Sequence, residues 1–407
     1  MNVLPHSEPI LCVAEGLVLM GQQPQRAVDT LTQREFAISD RIAEVLSAFA
    51  LPRSAENGAL LLSRRLELDV ADVRSLVTGL QQKGLLREHT PRSARGAEPM
   101  AQGGLFGAPL LSPESALRRE NADVVCFGMP YDVGVSNKPG ARFGPEAIRR
   151  AARAVYQYQL QSGTPLGAYC PVSDRHVLQG LRIADVGDMR AAVMQQNGRQ
   201  LQQCEEFVHA AVANGQLPVM LGGDHSCSLP AILGAAREQA IGVLHFDAHD
   251  DYGGASPGPW REHLHHGNFM SWVADCANVQ RIYQFGVRQR EPRATARHPK
   301  TRLFAGRSAL ALSEQQLLEA VADDIPYYVT IDVDCLDPSV LESTGTPLPG
   351  GFRYEELLHL VQLLCSRRRV LALDVMELMP AGRDADALLC ADLLVHCLDA
   401  VMRGRHV

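Results

Sequence analysis

The apolar run Ile241-Gly242-Val243-Leu244 leads directly into His245-Phe246-Asp247-Ala248-His249-Asp250-Asp251. The run reads as a buried parallel strand. Side chains of an extended backbone alternate faces, so Asp247, His249 and Asp251 share one face at the strand's end. Two carboxylates and an imidazole converging there repel unless one takes up a proton or a positive charge sits among them. A divalent cation removes the conflict. The plain alternative is a polar turn after a strand, and the remaining chain has to decide between them.

From about Leu117 onward the pattern alternates strands and helices. Strands are expected at Val124–Gly128, Val219–Leu221, Ile241–Phe246, Ile282–Gly286, Tyr327–Val333 and Val370–Val375. Helices are expected over Pro145–Ala154, from Ser228 onward, and over Ala385–Met402. That order predicts an α/β domain with a mostly parallel sheet and ligands at the carboxyl ends of its strands.

Before it, residues 1–89 read as a small separate domain. Ile10–Val13 and Leu17–Met20, split by Glu15-Gly16, predict a short hairpin. Ser39 caps a predicted helix carrying Ile42, Val45, Leu46 and Phe49. Leu60, Leu61 and Leu62 form a second apolar segment, and a third helix through Val70, Val73, Leu76, Val77 and Leu80 ends at Gly84. Residues 90–116, rich in Pro, Gly, Ala and Ser, are expected to be a linker, leaving 117–407 as the larger domain.

A formal net charge of −7 argues against nucleic acid as a partner. Residues 1–90 carry nine Arg/Lys against eleven Asp/Glu, so the front domain has no basic excess either. The ten cysteines show no CxxC pair, which excludes a zinc knuckle and predicts reduced thiols in a cytoplasmic protein. No stretch has the length and apolarity of a membrane span or signal peptide, so no membrane partner is expected.

Two further segments repeat the logic of the first. His225 follows a predicted strand and two glycines, and Asp332 and Asp334 follow the strand from Tyr327. With Asp247, His249 and Asp251 the set is two imidazoles and four carboxylates at three strand ends. A single polar group at a strand end needs no explanation; six at three ends do. Four aspartates would be neutralised by two divalent cations. An oxygen-rich donor set with imidazole and no thiolate suits Mn2+ best, with Ni2+, Co2+ or Zn2+ as alternatives. Paired cations acidify a shared water, which predicts hydrolysis.

The segments "GGDHS" at 222–226, "DAHDD" at 247–251 and "DVDCLDP" at 332–338 resemble the signatures of the ureohydrolase family, which includes arginases and agmatinases. Supporting matches are "PYDVG" at 130–134, "KPGARFGPEAIR" at 138–149, "GTPLPGG" at 345–351 and "DVMELMP" at 374–380. The resemblance implies an arginase-like three-layer α/β fold, two Mn2+ per subunit, urea release from a guanidino substrate and a homo-oligomer. It implies His225, Asp247 and Asp251 at one cation and His249 at the other, with Asp332 and Asp334 as shared carboxylates. His266, before Gly267, would shuttle a proton to the leaving amine, and Glu377 would hold the guanidinium. With the ligand Asp251 these are the expected catalytic residues. The front domain resembles winged-helix-like modules, including small ones that present leader peptides to modifying enzymes.

Substrate choice stays open. Arginases place an asparagine two residues beyond the last ligand of this motif, and here that position is Gly253. The glycine-rich loop would admit an arginine-containing peptide, whereas Trp260 would close over a small guanidino compound. Arg288, Arg290 and Arg293 either meet a substrate carboxylate or are solvated. A small guanidino substrate and a peptide arginase converting arginyl to ornithyl residues are therefore both expected readings. In the peptide reading the front domain binds the peptide, and otherwise it serves packing or assembly. A single-metal deacetylase-like hydrolase and a non-catalytic binding protein are weaker readings, because all six ligands are present.

Overall fold

Eight wholly parallel strands carry the larger part of the chain: β1 (Val124–Gly128), β2 (Ile183–Asp188), β3 (Leu217–Leu221), β4 (Ile241–Phe246), β5 (Val279–Phe285), β6 (Thr301–Phe304), β7 (Tyr327–Asp332) and β8 (Val370–Met376). Their order across the sheet is β2-β1-β3-β8-β7-β4-β5-β6. The computed structural model describes residues 10–14, 17–20, 26–29, 34–49, 53–88, 103–189, 197–253, 259–290, 298–380 and 384–405. They divide into two units, Met1–Met100 with Arg190–Leu201 and Ala101–Met189 with Gln202–Val407.

In the larger unit both faces of the sheet are covered, which is why its strands are apolar runs without alternation. Helices α1 (Gly144–Val155), α5 (Tyr354–Arg367) and α6 (Asp384–Arg405) pack together on one face. Their Ile148, Leu360, Leu364, Leu394 and Leu398 share a buried core with Cys126, Leu221, Phe246, Ile331 and Val375. Helices α2 (Asn197–Ala213), α3 (Ser228–Ala235) and α4 (Phe269–Asp275) serve the other face, where Phe127 meets Phe207 edge-on with ring centroids 5.1 Å apart. This is the three-layer α/β architecture expected from the sequence. The strands that the sequence reading passed over, β2 and β6, are the two sheet edges.

The linker expectation is corrected over its second half. Leu105, Phe106 and Ala108 are fully buried, Leu105 N–H donates to Asp185 Oδ2 at 2.8 Å, and Phe106 packs edge-on against Tyr156. Leu111 N–H then donates to the Asp185 carbonyl at 2.9 Å, and Pro113–Ala116 is a helical turn capped by Ser112. Three apolar residues within "GGLFGA" are enough to seal this edge of the core, so residues 103–116 belong to the larger unit. Residues 89–102 lie outside the described ones.

In the smaller unit the expected hairpin is also corrected. Ile10–Val13 pairs with Arg53–Ser54 and Leu86–Glu88, whereas Leu17–Met20 pairs with Arg26–Asp29 and that strand with Arg34–Ala37. Leu11 and Val13 are drawn instead into a core with Val45, Leu46, Leu62, Val73 and Val77 from three helices, Asp40–Ala48, Ala55–Leu66 and Val70–Gln82. Ser39, Ser54 and Asp69 cap these helices by accepting from backbone N–H groups. Among the described residues no helix is long and apolar enough to cross a membrane.

Candidate metal centre and catalytic site

The ends of β3, β8, β7 and β4, four adjacent strands at the middle of the sheet, supply the site. At β3 the chain turns through Gly222-Gly223 beneath a crowded ceiling. A Cβ on Gly223 would lie 1.7 Å from the Tyr131 carbonyl oxygen, and one on Gly222 would lie 2.1 Å from the Met376 sulfur. Close approach, not left-handed backbone, requires these glycines. Asp224 then accepts from Ser226 N–H at 3.0 Å and Gly134 N–H at 2.8 Å, and its neighbour His225 is thrown into the interior.

His225 Nδ1 faces Asp247 Oδ2 at 2.8 Å, Asp332 Oδ2 at 3.2 Å and Asp251 Oδ2 at 3.3 Å. Its Nε2 lies 2.8 Å from Thr330 Oγ1, which lies 3.2 Å from Ser228 Oγ, which donates to Asp374 Oδ2 at 2.8 Å. Tyr328 O–H donates to the same oxygen at 2.7 Å. A carboxylate only accepts, so the Ser228 proton points to Asp374, the Thr330 proton to Ser228, and the His225 Nε2 proton to Thr330. Nδ1 therefore turns a lone pair toward three carboxylates. It is a buried nitrogen with no satisfactory hydrogen-bond partner in the structure.

Asp247 divides its two oxygens. Oδ2 faces His225, while Oδ1 accepts His249 N–H at 2.6 Å and lies 3.3 Å from His249 Nδ1. His249 Nδ1 also faces Asp334 Oδ2 at 3.1 Å. Asp334 is fixed by Ala248 N–H on Oδ1 at 3.1 Å and by Thr346 O–H on Oδ2 at 3.2 Å. Asp332 Oδ1 accepts Asp334 N–H at 2.7 Å. The six residues singled out in the sequence thus form two nests. Asp247, Asp251 and Asp332 gather at His225; Asp247 and Asp334 gather at His249.

The electrostatics are those of crowded charge. Burial, then the Asp247 charge, pushes the Asp251 carboxyl up to about 6. Burial and the charges of Asp334 and Asp247 raise Asp332 well above the carboxylate range. Burial would raise Asp247 too, but the imidazoles of His225, His245 and His249 outweigh it and hold this carboxyl low. Burial opposes a charge on His249, yet Asp247 and Asp334 lift it to about 12. Four buried carboxylates around two imidazoles, one of them with an orphaned lone pair at His225 Nδ1, fit divalent cations. Oxygen and imidazole donors without thiolate fit Mn2+ or a neighbouring first-row ion.

Beside the nests, His266 Nδ1 lies 3.0 Å from Glu377 Oε1, and that oxygen also accepts His225 N–H at 2.9 Å. Ser136 N–H donates to His266 Nε2 at 3.1 Å, with Ser136 Oγ at 2.7 Å. A backbone N–H only donates, so Nε2 holds the lone pair and Nδ1 the proton directed at Glu377. Burial works against a charge on this ring, and the hydrogen bond and charge of Glu377 outweigh it, raising His266 above its usual range. Glu377 and Asp251 both adopt left-handed backbone, at φ 64° and 53°. Such conformations in residues with side chains cost energy and concentrate at functional sites.

The neighbouring histidines separate cleanly. His265 Nδ1 accepts Gly267 N–H within its own loop, and the His263 carbonyl accepts from Asn268, so among the described residues His266 is the histidine of this loop that reaches Glu377. Gly253 donates its N–H to the Gly267 carbonyl at 2.8 Å, and a Cβ there would sit 2.7 Å from that oxygen. The glycine at the position where arginases hold asparagine therefore lets the ligand loop press against the His266 loop. Among the described residues the half-buried Arg288 is held by carbonyls: its guanidinium donates to those of Asp334, Leu336, Leu348 and Pro349. Trp260 stacks under Arg261, with the guanidinium carbon 4.4 Å from the ring centroid. Arg293 and residues 254–258 lie outside the described ones.

Sequence reasoning missed the support layer. Thr330, Ser228, Asp374, Thr346 and Ser136 carry no motif chemistry individually. His245 did carry a signal, since the alternation expected from the sequence for 247, 249 and 251 extends back to 245 as well.

Residues 122–399 match the model of the arginase family. The chain is 30% identical over 298 residues to the human mitochondrial guanidino acid hydrolase, covering 69% of this chain and 79% of that one. It is 30% identical over 269 residues to the agmatinase of Bacillus subtilis (strain 168), covering 64% of this chain and 85% of that one. Among solved structures, proclavaminate amidino hydrolase from Streptomyces clavuligerus superposes with a TM-score of 0.62 at 25% identity, covering 77% of this chain and all of that one. With its strand-end carboxylates and imidazoles in this fold, the chain belongs to the arginase family and is a hydrolase of linear amidine C–N bonds.

Proposed function

We propose that the protein releases urea from a guanidino compound with two Mn2+ per chain, held by His225, Asp247, Asp251 and Asp332 on one side and His249, Asp247 and Asp334 on the other. The observation that carries this reading is the division of Asp247 between two imidazole nests. A single-metal deacetylase would need only one. Bound there, a cation pair would supply an acidified water and offset charge developing on the atoms attached to the attacked carbon. The chain's own residues do the rest. Both hydrogen bonds to Glu377 fall on Oε1 among the described residues, which leaves Oε2 for a guanidinium N–H by a charge-assisted bond. His266 holds a lone pair at Nε2 beside Ser136 and takes up and returns the proton that the leaving amine needs. Asp251 orients the reacting face from the end of the ligand loop.

The test is urea release by Mn2+-loaded protein, with bound metal counted by elemental analysis, on arginine, agmatine, guanidinobutyrate, guanidine and an arginine-containing peptide. Turnover of one small compound with about two ions per chain supports the reading. Fewer than two ions, or release of acetate from an acetyl-lysine substrate in place of urea, overturns it.

A second reading is a peptide arginase in a cytoplasmic homo-oligomer, with residues 1–89 as a winged-helix-like recognition domain. It is favoured by the smaller unit's own core and by the strand Arg34–Ala37, which among the described residues ends its three-stranded sheet, where an extended peptide would add as a further strand. Removing residues 1–100 should then abolish peptide turnover and spare a small guanidino compound. Equal loss of both refutes the recognition role. The deletion must stop short of Leu105 and Phe106, whose loss alone costs several kcal/mol, roughly 2–5 per side chain.

A further inference from the structure

Sheet register sets one fully buried polar side chain from each of four adjacent strands in a row beneath the ligands. Gln284 on β5 pairs with His245 on β4, His245 with Thr330 on β7, and Thr330 with Asp374 on β8. Polar residues in the middle of a two-sided sheet are costly unless each finds partners. The Thr330–Asp374 half of the row orients His225. The Gln284–His245 half has no part in the reaction described so far.

His245 Nε2 lies 3.0 Å from Asp247 Oδ2 and 3.8 Å from Asp251 Oδ2, close enough that His245 joins His225, Asp247 and Asp251 as a possible set of cation donors. Two roles are open to it. With a lone pair on Nε2 it is a further ligand; with a proton there it is a hydrogen-bond donor to a ligand. Gln284 distinguishes them. One end of its amide lies 2.8 Å from the Asp250 carbonyl oxygen, an atom that only accepts, so that end is the nitrogen. The same nitrogen lies 3.0 Å from His245 Nδ1. An amide N–H can only donate, so Nδ1 carries the lone pair and the ring proton sits on Nε2, aimed at Asp247.

We propose that His245 is a positioning residue: its ring, fixed by Gln284 with the lone pair on Nδ1 and the proton on Nε2, donates to Asp247 Oδ2 and keeps the two Asp247 oxygens divided between the nests. The proposal rests on the two-cation reading of the site. It makes His245 a support of the bridging carboxylate and excludes it from the ligand set. Outer partners of this kind typically change metal affinity by about 10–100-fold.

The test is equilibrium dialysis against graded Mn2+, with bound metal counted per chain, on the full-length protein and three variants. His245→Leu removes the ring, His245→Gln keeps an N–H donor near the position of Nε2, and Gln284→Met releases the tautomer. The expected result is two ions at saturation in every variant. The midpoint should rise roughly 10–100-fold in His245→Leu, return to within a few-fold in His245→Gln, and rise in Gln284→Met. Saturation at one ion in His245→Leu, or no recovery in His245→Gln, overturns the proposal. Should His245→Leu fail to fold, Gln284→Met decides: a ligand role predicts an unchanged or tighter midpoint, because Nε2 is no longer held protonated. A wild-type chain that never takes up two ions refutes the two-cation reading itself and this proposal with it. Two ions in the wild type with unchanged midpoints in all variants refute this proposal alone.

Discussion

The two nests share Asp247 and otherwise differ in depth and support. His225 has a side chain 1% exposed, faces three carboxylate oxygens, and is tied through Thr330 and Ser228 to Asp374 inside the sheet. His249 is 23% exposed, faces two, and leans on Asp334, whose supports are a backbone N–H and a threonine from the loop 345–351. The inner nest is held by strand register, the outer one by a loop. Sheet supports move only if the core moves, whereas loop supports can adjust as substrate enters. The difference teaches that one fold provides a fixed anchor and an adaptable partner within a single carboxylate's span.

The change that should erase the comparison is Asp247→Asn. It removes the carboxylate common to both nests, so both ions should bind poorly and urea release should fall by about 10²–10³ or more, the scale of losing a charge-stabilising group at a reacting centre. Retention of two tightly held ions by elemental analysis would falsify the bridging role. His266→Gln sharpens the comparison from outside, since His266 belongs to neither nest. Both ions should remain while turnover falls about 10²–10⁴-fold, the range for a lost general acid or base. Loss of an ion in that variant would place His266 among the ligands.

Chelation tests depth directly. Timed exposure of the loaded enzyme to a chelator should pass through a one-ion species, because the exposed outer nest empties first. Repeating the experiment with His249→Ala should leave the slow phase alone. A single phase releasing both ions together would mean that the nests do not differ as their exposure suggests.

Much of this site could be read from the chain because its ligands cluster in short segments directly after apolar strands. Asp247, His249 and Asp251 do converge, but by a turn beyond the strand's end at Phe246, with Asp251 in left-handed backbone, and not by the alternation of an extended strand; His245, inside the strand, is concealed by its apolar neighbours. The supporting layer is illegible for a different reason. Thr330, Asp374 and Gln284 become neighbours only through the register of strands distant in sequence, and Ser228 joins them from a helix. The fold shows the same division. Central strands announce themselves as apolar runs, while the edge strands Ile183–Asp188 and Thr301–Phe304 are partly exposed and mixed in composition. Local turn signals mislead where partners are remote: Glu15-Gly16 suggests a hairpin, but Ile10–Val13 pairs with strands flanking the helices. Composition misleads over 103–116, where glycines surround three buried apolar side chains.

The smallest effects separate the two kinds of support. Asp374→Asn keeps the size of the side chain but weakens the acceptor at the end of the His225 chain, so inner-ion affinity should fall about 10–100-fold with the outer nest unaffected. Thr346→Val removes one hydroxyl from Asp334 and leaves the Ala248 N–H in place. A single neutral hydrogen bond is worth about 0.5–1.5 kcal/mol, so outer-ion affinity should change by less than roughly tenfold. Dialysis midpoints for the two ions, measured in both single variants and the double, give the result. If the nests are supported independently, the effects add and each stays with its own ion. If Asp247 transmits strain from one nest to the other, Thr346→Val will also shift the inner midpoint, and the double variant will depart from additivity. In that case the anchor and the adaptable partner are one coupled device, and the division of Asp247 matters less for holding two ions than for making each sense the other.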